Sequence, residues 1–240
     1  MRIFGPPGTG KTTTLLDIVD KSLSSGVPPQ QMAFFAFTRK AANEAKERAC
    51  ERFGLDIRSD LPYFRTMHSL AFHLTGLKSE QLMQSEHYRE IESRVGFELV
   101  SSAARQDEVD ENLSSALRKE SEVLRLITLA RLKMMPLQQL YNQSSVEHTW
   151  REVDYVARAV EKYKKIHGLY DYTDMLELFS DMGPDVCPRF KVSMLDEAQD
   201  LSPLQWKIAH VIDDKSERMY CAGDDDQAIY EWAGADVEHF

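Results

Sequence analysis

A glycine-rich segment near the start of the chain has the composition of a phosphate-binding loop. Residues 5–12 read GPPGTGKT and match the pattern G-x-x-x-x-G-K-[ST]. The glycines let successive backbone N–H groups point at a phosphate, and the dipole of a following helix adds to the attraction. Lys11 would then reach the β- and γ-phosphates, and the Thr12 hydroxyl would bind Mg²⁺. We therefore expect ATP to bind at Gly5, Pro6, Pro7, Gly8, Thr9, Gly10, Lys11, Thr12 and Thr13.

Two adjacent carboxylates, Asp196 and Glu197, follow the apolar segment FKVSML (190–195). In hydrolytic nucleotide sites the first carboxylate holds Mg²⁺ and the next polarises the attacking water. An Asp-Glu pair alone is weak evidence for a hydrolytic site, because acidic residues commonly begin loops and helices. Combined with a phosphate loop, the pair indicates ATP hydrolysis with Lys11, Asp196 and Glu197 as catalytic residues and with Thr12 and Asp196 as magnesium ligands.

Strands and helices that could position these residues alternate along both ends of the chain. Apolar runs predict strands over 2–4, 32–37, 190–195 and 218–223, and stretches with helical spacing follow the first three of them. This order predicts an α/β domain with a mostly parallel sheet. In such sheets ligands bind at the carboxyl ends of the strands, so we expect the segments after these strands to meet at one edge.

The middle of the chain differs from the two ends. Residues 78–168 are polar and rich in helical spacing, without a convincing strand, and we expect helices over 107–135 and 149–167. We therefore predict a discontinuous α/β domain, residues 1–77 and 169–240, with an inserted all-helical subdomain, residues 78–168.

The composition of the chain limits the cellular compartment and the binding partners that we expect. The net charge is −10, yet residues 1–77 carry 10 basic and 7 acidic side chains, so nucleic-acid binding would use local basic and aromatic groups there. No apolar run approaches the roughly 18 residues of a membrane span, and we expect no membrane partner. The three scattered cysteines favour a reducing, cytoplasmic setting over a disulfide framework.

Through these motifs, the sequence resembles the UvrD/Rep family of superfamily 1 DNA helicases over nearly its whole length. The resemblance implies a RecA-like P-loop NTPase fold and an ATP-dependent helicase that moves 3′ to 5′ on single-stranded DNA. Six segments match in order, namely GPPGTGKT (motif I), FFAFTRKAANEAKERA (Ia), RTMHSLAFHL (Ib), DYTDML (after the insertion), MLDEAQDLSPLQW (II) and AGDDDQAIYEWAGA (III).

The resemblance also implies roles for residues outside the two acidic and glycine-rich motifs. Gln227 would sense the γ-phosphate and complete the catalytic set, and Asp224 would begin that loop. Single-stranded DNA would contact Phe37, Thr38, His68, Tyr230 and Trp232, where aromatic stacking tolerates any base. A second RecA-like domain of the same longer chain would supply arginines that stabilise the transition state.

Other interpretations of these residues remain open. Phe37 is also placed for core packing at a strand end, and Tyr230 and Trp232 for an interface with the insertion. His68 is also compatible with an ordinary hydrogen-bonded histidine.

Four departures from the family pattern leave alternative functions open. Thr13 and Ala233 stand where arginines are usual, no segment precedes the first strand to read adenine, and the chain stops at Phe240 after motif III. We expect a fragment of a longer helicase. The alternatives are a nucleotide-gated DNA-binding module with little hydrolysis and the motor part of a helicase-nuclease.

Overall fold

The computed structural model describes residues 2–5, 9–100 and 120–224, which include a sheet of five strands. The strands lie in the order β1-β5-β4-β2-β3, and every pairing is parallel. The predicted α/β fold with a parallel sheet is therefore confirmed. The strands are β1 (Arg2–Phe4), β2 (Met32–Ala36), β3 (Tyr63–Thr66), β4 (Val192–Leu195) and β5 (Met219–Gly223).

Helices connect the strands and cover both faces of the sheet. Among the described residues, no helix combines the length and apolar character that a membrane span needs. The α-helices of this part of the chain are α1 (Lys11–Ser24), α2 (Arg39–Phe53), α3 (Met67–Thr75), α4 (Ser85–Val95), α5 (Glu122–Leu132), α6 (Leu137–Gln143), α7 (Trp150–His167), α8 (Tyr172–Met182) and α9 (Pro203–Asp214).

Strand β2 is buried along its whole length, as its continuous apolar sequence predicted. Its side chains alternate between two hydrophobic clusters because successive residues of a strand point to opposite faces. Ala33 and Phe35 join a cluster with residues of α3, α8 and α9. Met32, Phe34 and Ala36 join a second cluster with residues of α1 and α2. The sheet is thus covered on both sides, which is the usual condition of parallel sheets.

Strand β3 is an edge strand that the sequence analysis did not predict. It has four residues, of which Phe64 and Thr66 are buried while Tyr63 and Arg65 are partly exposed. So short an alternation, with a charge inside it, is a weak sequence signal. The strand matters for the site because Thr66 also caps α3, accepting a hydrogen bond from the Ser69 N–H at 3.2 Å.

The start of α9 follows the predicted capping box. Ser202 is the N-cap, Pro203 occupies the first turn, and the Gln205 Oε1 accepts hydrogen bonds from the Ser202 N–H and O–H at 3.0 Å each. The residues of this box are buried against the first cluster. The cap therefore fixes the angle at which the chain leaves the acidic segment after β4.

Helices α4 to α7 and the segments next to them form a third hydrophobic cluster, whose buried members lie between Met83 and Leu169. The predicted domain boundaries at 77/78 and 168/169 stay a prediction. Helix α7 ends before Gly168, as expected. The helix expected over 107–135 is wrong at both ends of its described part. Helix α5 begins only at Glu122, after the extended N-cap Ser121, and it stops at Leu132, before Met134 adopts a left-handed backbone with φ 53°. Residues 107–119 lie outside the described part.

A charged cluster joins this helical part to α8. The Arg131 guanidinium of α5 bonds to Asp171 at 2.8 Å, to Glu177 at 2.6 Å and to Asp174. Lys164 of α7 bonds to Asp171 and Asp174 at 2.8 Å each. Burial would raise the pKa of Asp171, but Arg131 and Lys164 hold it below its usual range. The two cations thus fasten α8 to the helical part.

Replacing the central cation tests this junction. We expect Arg131→Met to lower the free energy of unfolding by about 3 kcal/mol, because it leaves partly buried carboxylates short of a cation. Urea unfolding monitored by circular dichroism measures the loss. The control is Arg158→Met in α7, whose guanidinium is exposed and pairs with Asp154 one turn away; it should cost at most about 0.5 kcal/mol. Equal losses for the two variants would contradict the assignment.

Candidate nucleotide site and nucleic-acid contact surface

The carboxyl ends of four neighbouring strands bring together residues predicted to do chemistry. Gly5 directly follows β1, Asp224 follows β5, Asp196 follows β4, and Thr38 comes two residues after β2. The Gly5 N–H donates to the Gly223 carbonyl at 3.3 Å, so β1 and β5 remain joined up to the start of the loop. The expected meeting at one edge of the sheet is confirmed for these described residues.

The described part of the phosphate loop has the backbone shape that its glycines allow. Gly10 is left-handed, with φ 81°, and serves as the N-cap of α1. A Cβ on Gly5 would lie 2.6 Å from the Thr9 Oγ1, so only glycine fits without movement. The buried Lys11 Nζ donates to the Gly5 carbonyl at 2.7 Å. The lysine therefore curls back over the loop, where a phosphate would lie.

One hydrogen bond joins the phosphate loop to the acidic pair. The Thr12 Oγ1 donates to the Asp196 Oδ2 at 2.8 Å. The Asp196 N–H in turn donates to the Phe35 carbonyl of β2 at 2.8 Å. Burial raises the pKa of the Asp196 carboxyl, and the bond from Thr12 partly offsets this. A hydroxyl and a carboxylate are the hard oxygen donors that suit Mg²⁺, which is usually held by few protein groups together with phosphates. The predicted magnesium ligands are thus adjacent and chemically suitable.

Glu197 is held in an unusual backbone conformation beside the magnesium ligands. Its φ of 53° and ψ of 47° are left-handed, a conformation that costs a residue with a side chain of order 1–3 kcal/mol. Its N–H donates to the Asp196 Oδ1 at 3.1 Å. Its half-buried carboxylate accepts a hydrogen bond from the Gln199 Nε2 at 2.7 Å. Such strain is frequent at catalytic positions because packing and hydrogen bonds hold it in place.

Two buried polar residues after Glu197 belong to the site, and the sequence analysis missed both. The Gln199 Oε1 accepts a hydrogen bond from the Asp224 N–H at 3.0 Å. Burial, and then the neighbouring Glu197, raise the pKa of Asp200 to about 7. Only their place in the segment MLDEAQD, directly after the catalytic candidate, could have indicated them.

Phe37 and Thr38 contribute to the fold as well as to the predicted DNA surface. The Phe37 ring is partly buried and packs against the first hydrophobic cluster. The Thr38 Oγ1 caps α2 by accepting a hydrogen bond from the Ala41 N–H at 3.1 Å. These contacts are compatible with both core packing and DNA contact, and the assignment to DNA stays a prediction.

His68 lies in the first turn of α3 and is half-buried. Its Nε2 is buried and has no hydrogen-bond partner among the described residues. The ring meets Tyr172 of α8 edge-on, with centroids 6.1 Å apart. Burial, and then the charge of Arg39, lower the pKa of His68 to about 4. The ring is therefore neutral near pH 7, and its DNA contact stays a prediction.

A basic cavity of about 230 Å³ lies between α2 and the edge strand β3. Arg39 and Lys46 line it from α2, Arg65 from β3 and Ser69 from α3. The Arg65 Nη1 donates to the Ser69 carbonyl at 3.4 Å, while its Nε is buried without a partner among the described residues. The sequence analysis expected basic groups in this third of the chain but did not single out these three cations, because β3 was missed.

Of the predicted site residues not yet described, one lies in the described part of the chain and the others do not. Thr13 is exposed in the first turn of α1, directly after the predicted magnesium ligand Thr12. The remaining predicted residues lie outside the described ranges, and their roles stay predictions: Pro6, Pro7, Gly8, Gln227, Tyr230 and Trp232.

Comparison with known proteins agrees with this geometry. The sequence model of the UvrD/REP helicase N-terminal domain matches residues 1–240. The chain belongs to this family. The resemblance stated from six sequence motifs is thereby confirmed, and the parallel sheet with helices fits the RecA-like domain of UvrD/Rep helicases.

Individual relatives in the UvrD/Rep family are distant but align over almost the whole chain. The YjcD protein of Bacillus subtilis is 28% identical over 97% of this chain, and the ATP-dependent DNA helicase PcrA of Leuconostoc citreum is 26% identical over 99%. A DNA helicase II homologue of Rickettsia conorii is 30% identical over 96%. The aligned part covers 31%, 32% and 36% of these relatives, so the chain spans about a third of their length.

The neutral state of His68 can be measured directly. We expect an NMR titration of the imidazole to give a pKa near 4, because burial disfavours the charged form. The folded pKa lies below the unfolded value of about 6.5. Wild type should therefore lose stability relative to His68→Gln as the pH falls from about 6.5 to 4. A midpoint at or above pH 6.5 would contradict the burial of this ring.

Proposed function

We propose that this chain is the ATP- and single-stranded-DNA-binding N-terminal motor part of an ATP-dependent DNA helicase that moves 3′ to 5′. The observation that carries the proposal is the 2.8 Å hydrogen bond between Thr12 and Asp196, which brings the phosphate loop and the acidic pair into one site. Membership of the UvrD/Rep family supports the same activity.

The residues at the sheet edge divide the chemistry of ATP hydrolysis between them. Lys11 and the loop backbone bind the β- and γ-phosphates, and Thr12 with Asp196 would hold Mg²⁺. The bound ion would neutralise charge on the phosphates. Glu197 orients the attacking water and accepts its proton, with its carboxylate held by Gln199. Gln227 senses the γ-phosphate.

Complete catalysis needs groups from elsewhere in a longer chain. The relatives are about three times as long as the aligned part, which supports a second RecA-like domain that closes over the nucleotide. An arginine supplied from such a domain is worth roughly 10³–10⁵ in rate. The 240-residue chain should therefore bind nucleotide better than it hydrolyses it.

Single-stranded DNA would cross the sheet edge beyond the nucleotide. Phe37, Tyr230 and Trp232 offer rings for stacking, which is worth roughly 1–3 kcal/mol per base and does not depend on sequence. His68 would touch the DNA backbone or a base. The basic cavity at the end of this path supplies positive charge for a backbone phosphate. Three free cysteines fit a reducing cytoplasmic compartment, where such a motor would meet DNA.

Thr13 favours a second candidate function. Its exposed hydroxyl stands where UvrD/Rep helicases usually carry an arginine, so one contact to the nucleotide is changed. The alternative is a module whose grip on DNA depends on bound nucleotide, with negligible turnover even when the second motor domain is present.

Replacing Lys11 tests the nucleotide site. We expect Lys11→Ala to weaken binding of a fluorescent ATP analogue by about 10- to 100-fold, because charge-assisted hydrogen bonds to phosphate are lost. Equilibrium fluorescence titration with Mg²⁺ measures this in the 240-residue chain. The control is Lys21→Ala in the last turn of α1, which should bind the ATP analogue normally.

In a chain extended through the second motor domain, Lys11→Ala should also abolish DNA-stimulated ATP turnover. Turnover insensitive to this substitution would exclude the proposal. Nucleotide-dependent binding of DNA with negligible turnover in the unaltered extended chain would favour the alternative.

Replacing the cavity cations tests the DNA path. We expect Lys46→Gln combined with Arg65→Gln to weaken binding of a single-stranded oligonucleotide and to reduce the salt slope by about 0.7 per lost phosphate contact. Fluorescence anisotropy at several salt concentrations measures both. The control is Arg52→Gln at the end of α2, whose charge pairs with Asp17 at 2.7 Å. If the control and the double variant lowered affinity and slope equally, the cavity would have no specific role.

A further inference from the structure

We propose that Gln199 is a positioning residue that holds the Glu197 carboxylate and ties it to the backbone at Asp224. Through this link, the placement of the group that orients water depends on the end of β5. The inference rests on the proposed function, because it concerns the same hydrolytic site. Gln199 belongs neither to the phosphate loop nor to the predicted metal ligands.

The two hydrogen bonds of Gln199 fix the orientation of its amide. The carboxamide oxygen must face the Asp224 N–H, since a backbone N–H only donates, and this bond measures 3.0 Å. The carboxamide nitrogen must then face Glu197, whose carboxylate only accepts, at 2.7 Å. Flipping the amide would set donor against donor and acceptor against acceptor. The side chain therefore has one orientation that satisfies both neighbours.

Burial makes this bridge rigid. Gln199 is 3% exposed, and Asp224 is 4% exposed. A buried polar group that loses its partner costs about 1–3 kcal/mol, so breaking either end of the bridge is unfavourable. Glu197 itself has a strained left-handed backbone, which persists only where the surrounding contacts hold it. Gln199 provides one such contact from only two residues away.

The bridge reaches the segment predicted to contact both ligands. Asp224 is the first residue after β5, and the predicted γ-phosphate sensor and DNA-stacking rings follow it in sequence within eight positions, at Gln227, Tyr230 and Trp232. A displacement at Asp224 moves the oxygen of the Gln199 amide, and the nitrogen of the same amide moves the Glu197 carboxylate. The geometry thus connects the start of the DNA-contact segment to the water-orienting group without passing through the metal ligands.

A positioning role predicts an effect on turnover rather than on binding. We expect Gln199→Leu, in the chain extended through the second motor domain, to lower kcat by roughly 10- to 100-fold because Glu197 is misplaced. The KM for ATP should change less than threefold or so, since Lys11, Thr12 and Asp196 are untouched. Stimulation by single-stranded DNA should fall more than basal turnover. Steady-state ATPase assays with and without an oligonucleotide measure all three quantities.

The isosteric variant Gln199→Glu separates positioning from packing. It keeps an acceptor for the Asp224 N–H but sets a carboxylate against Glu197, and two carboxylates so close cannot both ionise. We expect the acidic limb of the pH–kcat profile to rise by about one pH unit or more. The matched control is Gln205→Glu, an equally buried position where the side chain caps α9 as an acceptor and a carboxylate serves as well. The control should leave kcat and the pH profile unchanged.

Hydrogen exchange tests the bridge itself in the 240-residue chain. The Asp224 amide should be protected in wild type and in Gln199→Glu, and should exchange at least tenfold faster in Gln199→Leu. Unchanged exchange in Gln199→Leu, or an unchanged kcat in that variant, would overturn the inference. Loss of turnover in Glu197→Gln alongside normal turnover in Gln199→Leu overturns only the bridge. Normal turnover in Glu197→Gln would instead refute the proposed function.

Discussion

The contact between Thr12 and Asp196 depends on the arrangement of the whole sheet. The two residues are 184 positions apart, and the strands that precede them, β1 and β4, are separated by β5. Neighbouring strands lie about 4.8 Å apart, so the phosphate loop and the two side chains together span the roughly 10 Å between β1 and β4. Only parallel strands place both carboxyl ends at the same edge. The chemistry of the site therefore follows from strand order and direction, which the packing on both faces maintains.

Bringing these groups together costs stability at the site. Burial raises the pKa values of Asp196 and Asp200, which means that each ionised carboxylate is less stable there than in water. The left-handed backbone of Glu197 adds strain. The hydrophobic clusters on the two faces of the sheet offset these costs, because each combines buried side chains from strands and helices. Apolar packing on the two faces of the sheet thus stabilises a polar and strained site at its edge.

The sequence predicted those features that rest on local patterns. The apolar run of β2, the capping box of α9 and the glycines of the phosphate loop each have a signal within a few residues, and the structure agrees with them. Two features that rest on long-range contacts and carry no motif of their own were missed. Arg65 and Lys46 meet only because β3 pairs with β2 beside α2, and Gln199 acquires its role only when β5 lies next to β4. No pattern along the chain encodes these neighbours, since they arise from the order of the strands.

The start of α8 is a second place where distant parts of the molecule meet. Asp171 caps this helix and bonds to Arg131 and Lys164 of the helical part, while the adjacent Tyr172 contacts the ring of His68. His68 is one residue beyond the first position of α3, which directly follows β3. A shift of the helical part that moved Asp171 would therefore move the neighbouring aromatic ring against α3. Because the partly buried ion pairs resist separation, such a shift would move α8 together with the helical part. The junction and the edge predicted to contact DNA are thus linked through two adjacent residues.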